Sequence, residues 1–293
     1  MENKPNIDLL EEAVEEAANL SFIDEGGFKA VYKATIAGSI EALKVIFIPR
    51  ENDQEQEHSE ILPRVKREIE SLKLCECPYI VKLGNLLPRL CVIQDLDYII
   101  YSEELLEGQT LHERIRTRHI PDLEECKTLL ICLLKVIQEL KAIDIIHRDI
   151  KPKNIFALND TNRPYVILDL GIAFKLHSTA ITKNPDYRLG TLPYMAPEMF
   201  QPQFRQHIDY RSDLYSAAIT VYEYAASLHP LASREEDDFT TIYRIAHSRP
   251  SPLFSHRSDL SSSFCLIIDY MIRKKPALRP SNLEELIEKL EAI

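Results

Sequence analysis

The chain has 293 residues, of which 45% are apolar and 28% charged, the balance of a globular protein with room for one large domain or two lobes. Its net charge of −11 argues against nucleic acid as a partner, because surfaces that bind phosphate backbones are usually basic. The longest apolar run, Leu129–Leu134, stops at Lys135, far short of the roughly 20 residues a membrane span needs.

The first residues carry neither the basic segment nor the apolar core of a secretory signal, so a cytoplasmic location is expected. Residues 7–20 place apolar side chains at helical spacing opposite glutamates, which predicts an acidic helical extension, residues 1–20, packed on its own domain. Residues 20–48 then read as three antiparallel strands separated by Glu-Gly-Gly and Ala-Gly-Ser turns. With no Cβ to hold them off, Gly26 and Gly27 would let backbone N–H groups approach phosphates. Residues 49–60 read as a solvated acidic loop and 61–75 as a helix. Cys75 and Cys77 form the one close cysteine pair, with no second pair or histidines at zinc spacing, so structural thiols are expected. Strands follow near 79–83, 90–94 and 98–102. From 111 onward the pattern turns helical, with Pro121-Asp122-Leu123-Glu124-Glu125 as the start of a helix over 123–142.

The stretch His147-Arg148-Asp149-Ile150-Lys151-Pro152-Lys153-Asn154, with Val166–Gly171 after it, sets two acids, an amide and a lysine between apolar runs. Asp149 is suited to accept a hydroxyl proton while Lys151 faces a developing negative charge. Asn154 and Asp169 offer the hard oxygen ligands that Mg²⁺ takes beside phosphates. Together they form a phosphoryl-transfer set.

In this order, and about 20 residues apart, the two segments resemble the catalytic-loop and metal-binding signatures of the eukaryotic-like (Hanks-type) serine/threonine protein kinase family. Ala42-Leu43-Lys44, the segment Gly190–Glu198, Arg211–Ser216 and Arg279-Pro280 extend the resemblance from about Phe22 to the C-terminus. The resemblance implies an α+β, bilobal fold: a small N-terminal lobe (21–103) of antiparallel sheet with one helix, a hinge (104–108) and a larger, mainly helical lobe (109–293).

It also implies roles. Lys44, tethered by Glu68, would hold the α- and β-phosphates of ATP under a lid at Gly26 and Gly27. Val31, Ala42 and Phe156 would enclose the adenine, and the main chain at Glu104, Leu105 and Leu106 would bond its edge. Asp149 would deprotonate the acceptor hydroxyl, Lys151 would meet the γ-phosphate, and Asn154 and Asp169 would bind Mg²⁺, with Mn²⁺ as a substitute. Lys151 and Thr191 match the serine/threonine class, so the expected partners are protein substrates. Self-association for autophosphorylation is included, with Ser178, Thr179, Thr182 and Tyr187 as acceptors and Arg148 as the residue a phosphate would pair with. Glu198 and Arg279 resemble a buried ion pair, and Asp213 an acid that holds the catalytic loop.

Two positions depart from the family pattern. Aligned on Val31, the three family glycines fall on Asp24, Gly26 and Lys29, so one of the three is present. Glu103 falls at the gatekeeper position, where an apolar residue or Thr is usual; it is either ion-paired or one residue out of register. A pseudokinase scaffold is the competing reading, opposed by the presence of Lys44, Asp149, Asn154 and Asp169. A small-molecule phosphotransferase of kinase-like fold is opposed by Glu198, Asp213 and Arg279.

Overall fold

The computed structural model describes residues 4–26, 28–48, 61–170, 174–175, 191–201, 208–233 and 236–293. Gly27, the loop at 49–60 and the acceptors Ser178, Thr179, Thr182 and Tyr187 lie outside the described residues. The chain divides into two compact units, Met1–Leu74 with Val81–Glu107, and Cys75–Ile80 with Gly108–Ile293.

The first unit contains α1 (Ile7–Ala13), β1 (Ala17–Glu25), β2 (Lys29–Ile36), β3 (Ser39–Ile48), α2 (Ile61–Leu74), β4 (Arg89–Ile93) and β5 (Leu96–Glu104). The strands form one antiparallel sheet in the order β1-β2-β3-β5-β4. Ala37 and Gly38 (φ 50° and 82°) turn β2 into β3, and Gln94 and Asp95 (φ 49° and 59°) turn β4 into β5. Two successive left-handed residues match the twist of the strands they join, which makes these tight hairpins. Alternation then sorts the side chains. Leu43, Val45, Tyr98 and Ile100 share one face and are buried with Leu10 and Val14 at the α1 end of the chain. Ile46, Ile99 and Tyr101 share the other face, where Val65 and Ile69 of α2 pack.

Two expectations need correcting. Residues 17–20, read as helix, begin β1: Ala17 and Ala18 pair with Ile36 and Thr35, and the register shifts between Ala18 and Ser21, where Asn19 adopts φ 56°. Helix propensity is a weak preference that pairing along a sheet edge overrides. Tyr79–Leu83 adds no strand. A turn closed by Ile80 N–H to Cys77 O (3.3 Å) interrupts it, leaving single bridges from Ile80 to Ile167 and from Leu83 to Glu103. Nearby, the buried Glu41 carboxylate accepts from Ser102 Oγ (2.5 Å) and Asn85 N–H (3.0 Å). A Cβ at Gly84 would run into that carboxylate and the Ser102 hydroxyl, which would have to shift.

The second unit contains β6 (Gly108–Thr110), α3 (Leu111–Arg116), α4 (Leu123–Ala142), β7 (Ile145–Ile146), β8 (Ile155–Leu158), β9 (Tyr165–Ile167), β10 (Phe174–Lys175), α5 (Arg211–Ala226), α6 (Asp238–His247), α7 (Ser262–Met271) and α8 (Leu283–Glu291). Asp122 caps α4 through a capping box with Glu125, so its side chain satisfies an N–H that the first helical turn leaves open. α5 is buried along nearly its whole length. The fold is α+β, an antiparallel sheet followed by a mainly helical part, with α1 as a second helix on the sheet. No helix among the described residues is long and apolar enough to cross a membrane. All six cysteines are free thiols, and burial pushes Cys75, Cys126 and Cys132 up to about 12, as befits inert structural thiols.

Candidate active site

β7 delivers the chain into His147–Asn154, and β8 carries it away. Between them the backbone is held from α5. The buried Asp213 accepts the N–H groups of His147 (2.8 Å) and Arg148 (2.9 Å). Burial pushes the pKa of Asp213 up, against the opposing pull of His147 and Arg148. Arg148 sits at φ 70°, a conformation that costs a non-glycine residue on the order of 1–3 kcal/mol. The two hydrogen bonds to Asp213 offset that cost.

Four donors converge on the Asp149 carboxylate. Oδ2 accepts from Lys151 Nζ (2.6 Å) and Asn154 Nδ2 (2.9 Å), and Oδ1 accepts from Thr191 N–H (3.1 Å) and Thr191 Oγ1 (2.8 Å). Lys151 Nζ also donates to Thr191 Oγ1 (2.5 Å). A carboxylate offers about four lone-pair directions, so Asp149 is saturated.

Asn154 spends its amide nitrogen on Asp149, donating also to the main-chain oxygen (3.0 Å), which leaves Oδ1 as a neutral oxygen ligand. Its main-chain oxygen accepts from Leu168 N–H (2.7 Å), tying the His147–Asn154 loop to the residue before Asp169. Asp169 stands at φ 65°. Among the described residues no three His, Cys, Asp or Glu side chains gather to hold a metal by themselves. Magnesium needs no such cage: it keeps waters and takes one or two protein oxygens beside phosphates. One amide oxygen and one carboxylate fit it.

α5 also contributes groups that the sequence reading missed. Ser212 Oγ donates to Glu198 (2.9 Å), Ser216 Oγ to Tyr194 O (2.8 Å) and Thr220 Oγ1 to Ile150 O (3.4 Å). Their four-residue spacing puts them on one stripe of a helix that is otherwise apolar and buried. Hydroxyls recurring at that interval in so apolar a helix were the available signal. Glu198 and Arg279 form a bidentate pair at 2.6 and 2.7 Å.

In the first unit, Lys44 Nζ lies 3.2 Å from Glu68 and 2.5 Å from Glu103. Ala42 pairs with Glu103 across β3 and β5, and a slip of one residue would turn Glu103 to the opposite face. Glu103 is therefore ion-paired. Gly26 lies in the β1–β2 turn, its N–H donating to Lys29 O (2.7 Å). Val31 and Ala42 are half-buried on β2 and β3. Glu104 ends β5 and exchanges hydrogen bonds with Lys82, and Leu106 follows, half-buried. Phe156, half-buried on β8, belongs to the second unit.

Next to the Thr191–Tyr194 segment, His229 Nδ1 accepts from Leu231 N–H (3.1 Å) and Ala232 N–H (2.8 Å), with its ring edge-on to Tyr194 (5.4 Å). Burial pushes this imidazole down from 6.5 to about 4, against weaker pulls from the Pro193 carbonyl and Glu236. A depressed folded-state value favours the neutral ring. Its contribution to stability is whole above pH 6.5 and is lost as the pH falls toward 4, a change on the order of 3 kcal/mol. His229→Gln is expected to flatten the loss of stability between pH 7 and 4.5 seen by urea unfolding; parallel pH profiles would contradict it.

Residues 18–290 match the protein kinase domain family. A protein of Clostridium perfringens, named a probable serine/threonine-protein kinase, is 26% identical over 276 residues, covering 94% of this chain and 38% of its own length. A dual specificity mitogen-activated protein kinase kinase of Caenorhabditis elegans is 28% identical over 282 residues (89% and 58%). A serine/threonine-protein kinase of Myxococcus xanthus is 31% identical over 205 residues (67% and 36%). The chain thus spans between 36% and 58% of the length of these relatives. The family match runs from β1 to α8 and takes in Lys44 as well as the loop around Asp149, so the chain belongs to the protein kinase domain family.

Proposed function

We propose that the chain transfers the γ-phosphate of ATP to serine or threonine hydroxyls of proteins, itself among them, in the cytoplasm. The observation that carries this reading is the convergence of Lys151, Asn154 and Thr191 on Asp149. Lys44, held by Glu68, takes the α- and β-phosphates. Mg²⁺ bound by Asn154 and Asp169 would supply charge neutralisation on the phosphates.

The saturation of Asp149 implies an order of events. Lys151 leaves Asp149 for the γ-phosphate, and the lone pair it vacates on Oδ2 accepts the substrate hydroxyl. The hydroxyl oxygen bonds to the γ-phosphorus as the bond to the β–γ bridging oxygen breaks. ADP departs, and the hydroxyl proton passes to Asp149. Lys151 stabilises charge on the transferred group and then returns.

The test is incubation of the purified chain with γ-³²P-ATP, Mg²⁺ and mixed protein acceptors, followed by phosphoamino-acid analysis. Label on serine or threonine is expected. Label confined to tyrosine or to a small-molecule acceptor contradicts the proposal. Nucleotide binding without any label would mark a binding module instead.

A further inference from the structure

Lys44 meets two carboxylates that come from different parts of the first unit. Glu68 stands on α2, which follows the stretch 49–60. Glu103 stands on β5, paired with β3 in unbroken register from Glu41 opposite Glu104 to Ile48 opposite Asp97. Residues directly opposite in an antiparallel pair share a face. Lys44, opposite Tyr101, and Ala42, opposite Glu103, therefore place the ammonium beside the Glu103 carboxylate through the sheet alone. Lys44, Glu68 and Glu103 are 5%, 4% and 2% exposed, and the Tyr101 ring centre lies 5.4 Å from the ammonium.

Burial decides the energetics. Solvent screens a water-excluded pair little, and a buried charge that loses its partner is strongly destabilising. With two carboxylates, removal of either leaves the other against the ammonium; removal of both takes away the helix-borne and the strand-borne anchor together. The two contacts are thus redundant for holding Lys44 but differ in what they depend on. One follows the helix and the other the strand register.

We propose that Glu103 is a second anchor of Lys44, a positioning residue that keeps the phosphate-binding lysine in place independently of α2. This rests on the reading of Lys44 as the residue that takes ATP phosphates. Glu103 at the gatekeeper position is, on this view, the reason the lysine stays placed when the helix carboxylate is withdrawn.

The test compares wild type, Glu68→Gln, Glu103→Gln and the double variant. Acetylation by an N-hydroxysuccinimide ester, read by peptide mass spectrometry, reports how well Lys44 is held, with the exposed Lys289 as internal standard. In each single variant Lys44 should react within about threefold of wild type, and in the double at least about tenfold faster, the non-additivity expected of groups sharing one partner. The KM for ATP should rise a few-fold in each single variant and by more than the product of the two in the double. The proposal is overturned if Glu68→Gln alone frees Lys44 as fully as the double does. It is equally overturned if Glu103→Gln changes nothing in the Glu68→Gln background. Should the double variant unfold, adding Lys44→Met must restore its melt by removing the ammonium that has lost both carboxylates; failure to do so also overturns the anchor. Acetylation needs no nucleotide, so a chain without ATP turnover would refute the functional reading while still reporting on Glu103.

Discussion

Asp149→Asn is expected to lower phosphate transfer by about 10²–10⁴-fold, the range set by loss of a positioned general base, with nucleotide binding largely retained. The carboxylate accepts from four donors at 2.6–3.1 Å. An amide of the same shape has one acceptor oxygen and one donor NH₂. If its oxygen keeps the two Thr191 donors, the NH₂ is aimed at the ammonium of Lys151 and the amide of Asn154, donors against a donor. Lys151 then loses its carboxylate, and nothing remains to take the hydroxyl proton. The clash should also cost about 1–3 kcal/mol of stability, the usual consequence of leaving buried donors unpaired. Initial rates with γ-³²P-ATP and a thermal melt check both halves. A variant within tenfold of the wild-type rate would show that Asp149 is not the base.

Arg279→Ala is expected to cost about 3–5 kcal/mol, the range for breaking a buried ion pair on one side. The Arg279 side chain is wholly buried and holds both oxygens of Glu198. It also donates to the carbonyls of Arg211 (2.8 Å), Arg273 (2.8 Å) and Lys274 (3.2 Å). Alanine removes all of these bonds and leaves Glu198 with Ser212 as its one remaining donor among those described here. The combination of Glu198→Leu with Arg279→Met should cost less than Arg279→Ala alone, because no charge is left unpaired. The chain has 13 tyrosines and no tryptophan, so urea unfolding is followed by tyrosine fluorescence. A single variant that unfolds at the wild-type midpoint would mean that the pair contributes nothing net.

Much of this was legible because phosphoryl transfer demands particular residue types at short spacing. Asp149, Lys151 and Asn154 lie within six consecutive residues, so their grouping was visible in the sequence; that Lys151 and Asn154 both donate to Asp149 was seen only in the structure. The helix start at Asp122 was equally legible, since a capping box is local. The extent of the first helix was not. Val14 to Leu20 carries an apolar pattern compatible with a helix, but β2 offers an edge to pair with, and pairing decided it. Tyr79–Leu83 failed for a different reason: the turn at Cys77–Ile80 breaks it, so it meets Ile167 and Glu103 by single bridges and builds no ladder.

The sequence by itself determined which residue types stand at the candidate site and in what order, because that order along the chain survives folding. It also determined the alternation that makes a sheet and the cap that begins a helix, which are interactions over a few residues. Which partner each buried charge would take was decided by tertiary structure alone. Glu103 lies 59 residues from Lys44, Asp213 lies 66 from His147 and Arg279 lies 81 from Glu198. No local rule links residues at such separations. A buried charge must be paired, so the sequence could announce that Glu103 needs a partner. Only the register of β3 against β5 could say that the partner is Lys44.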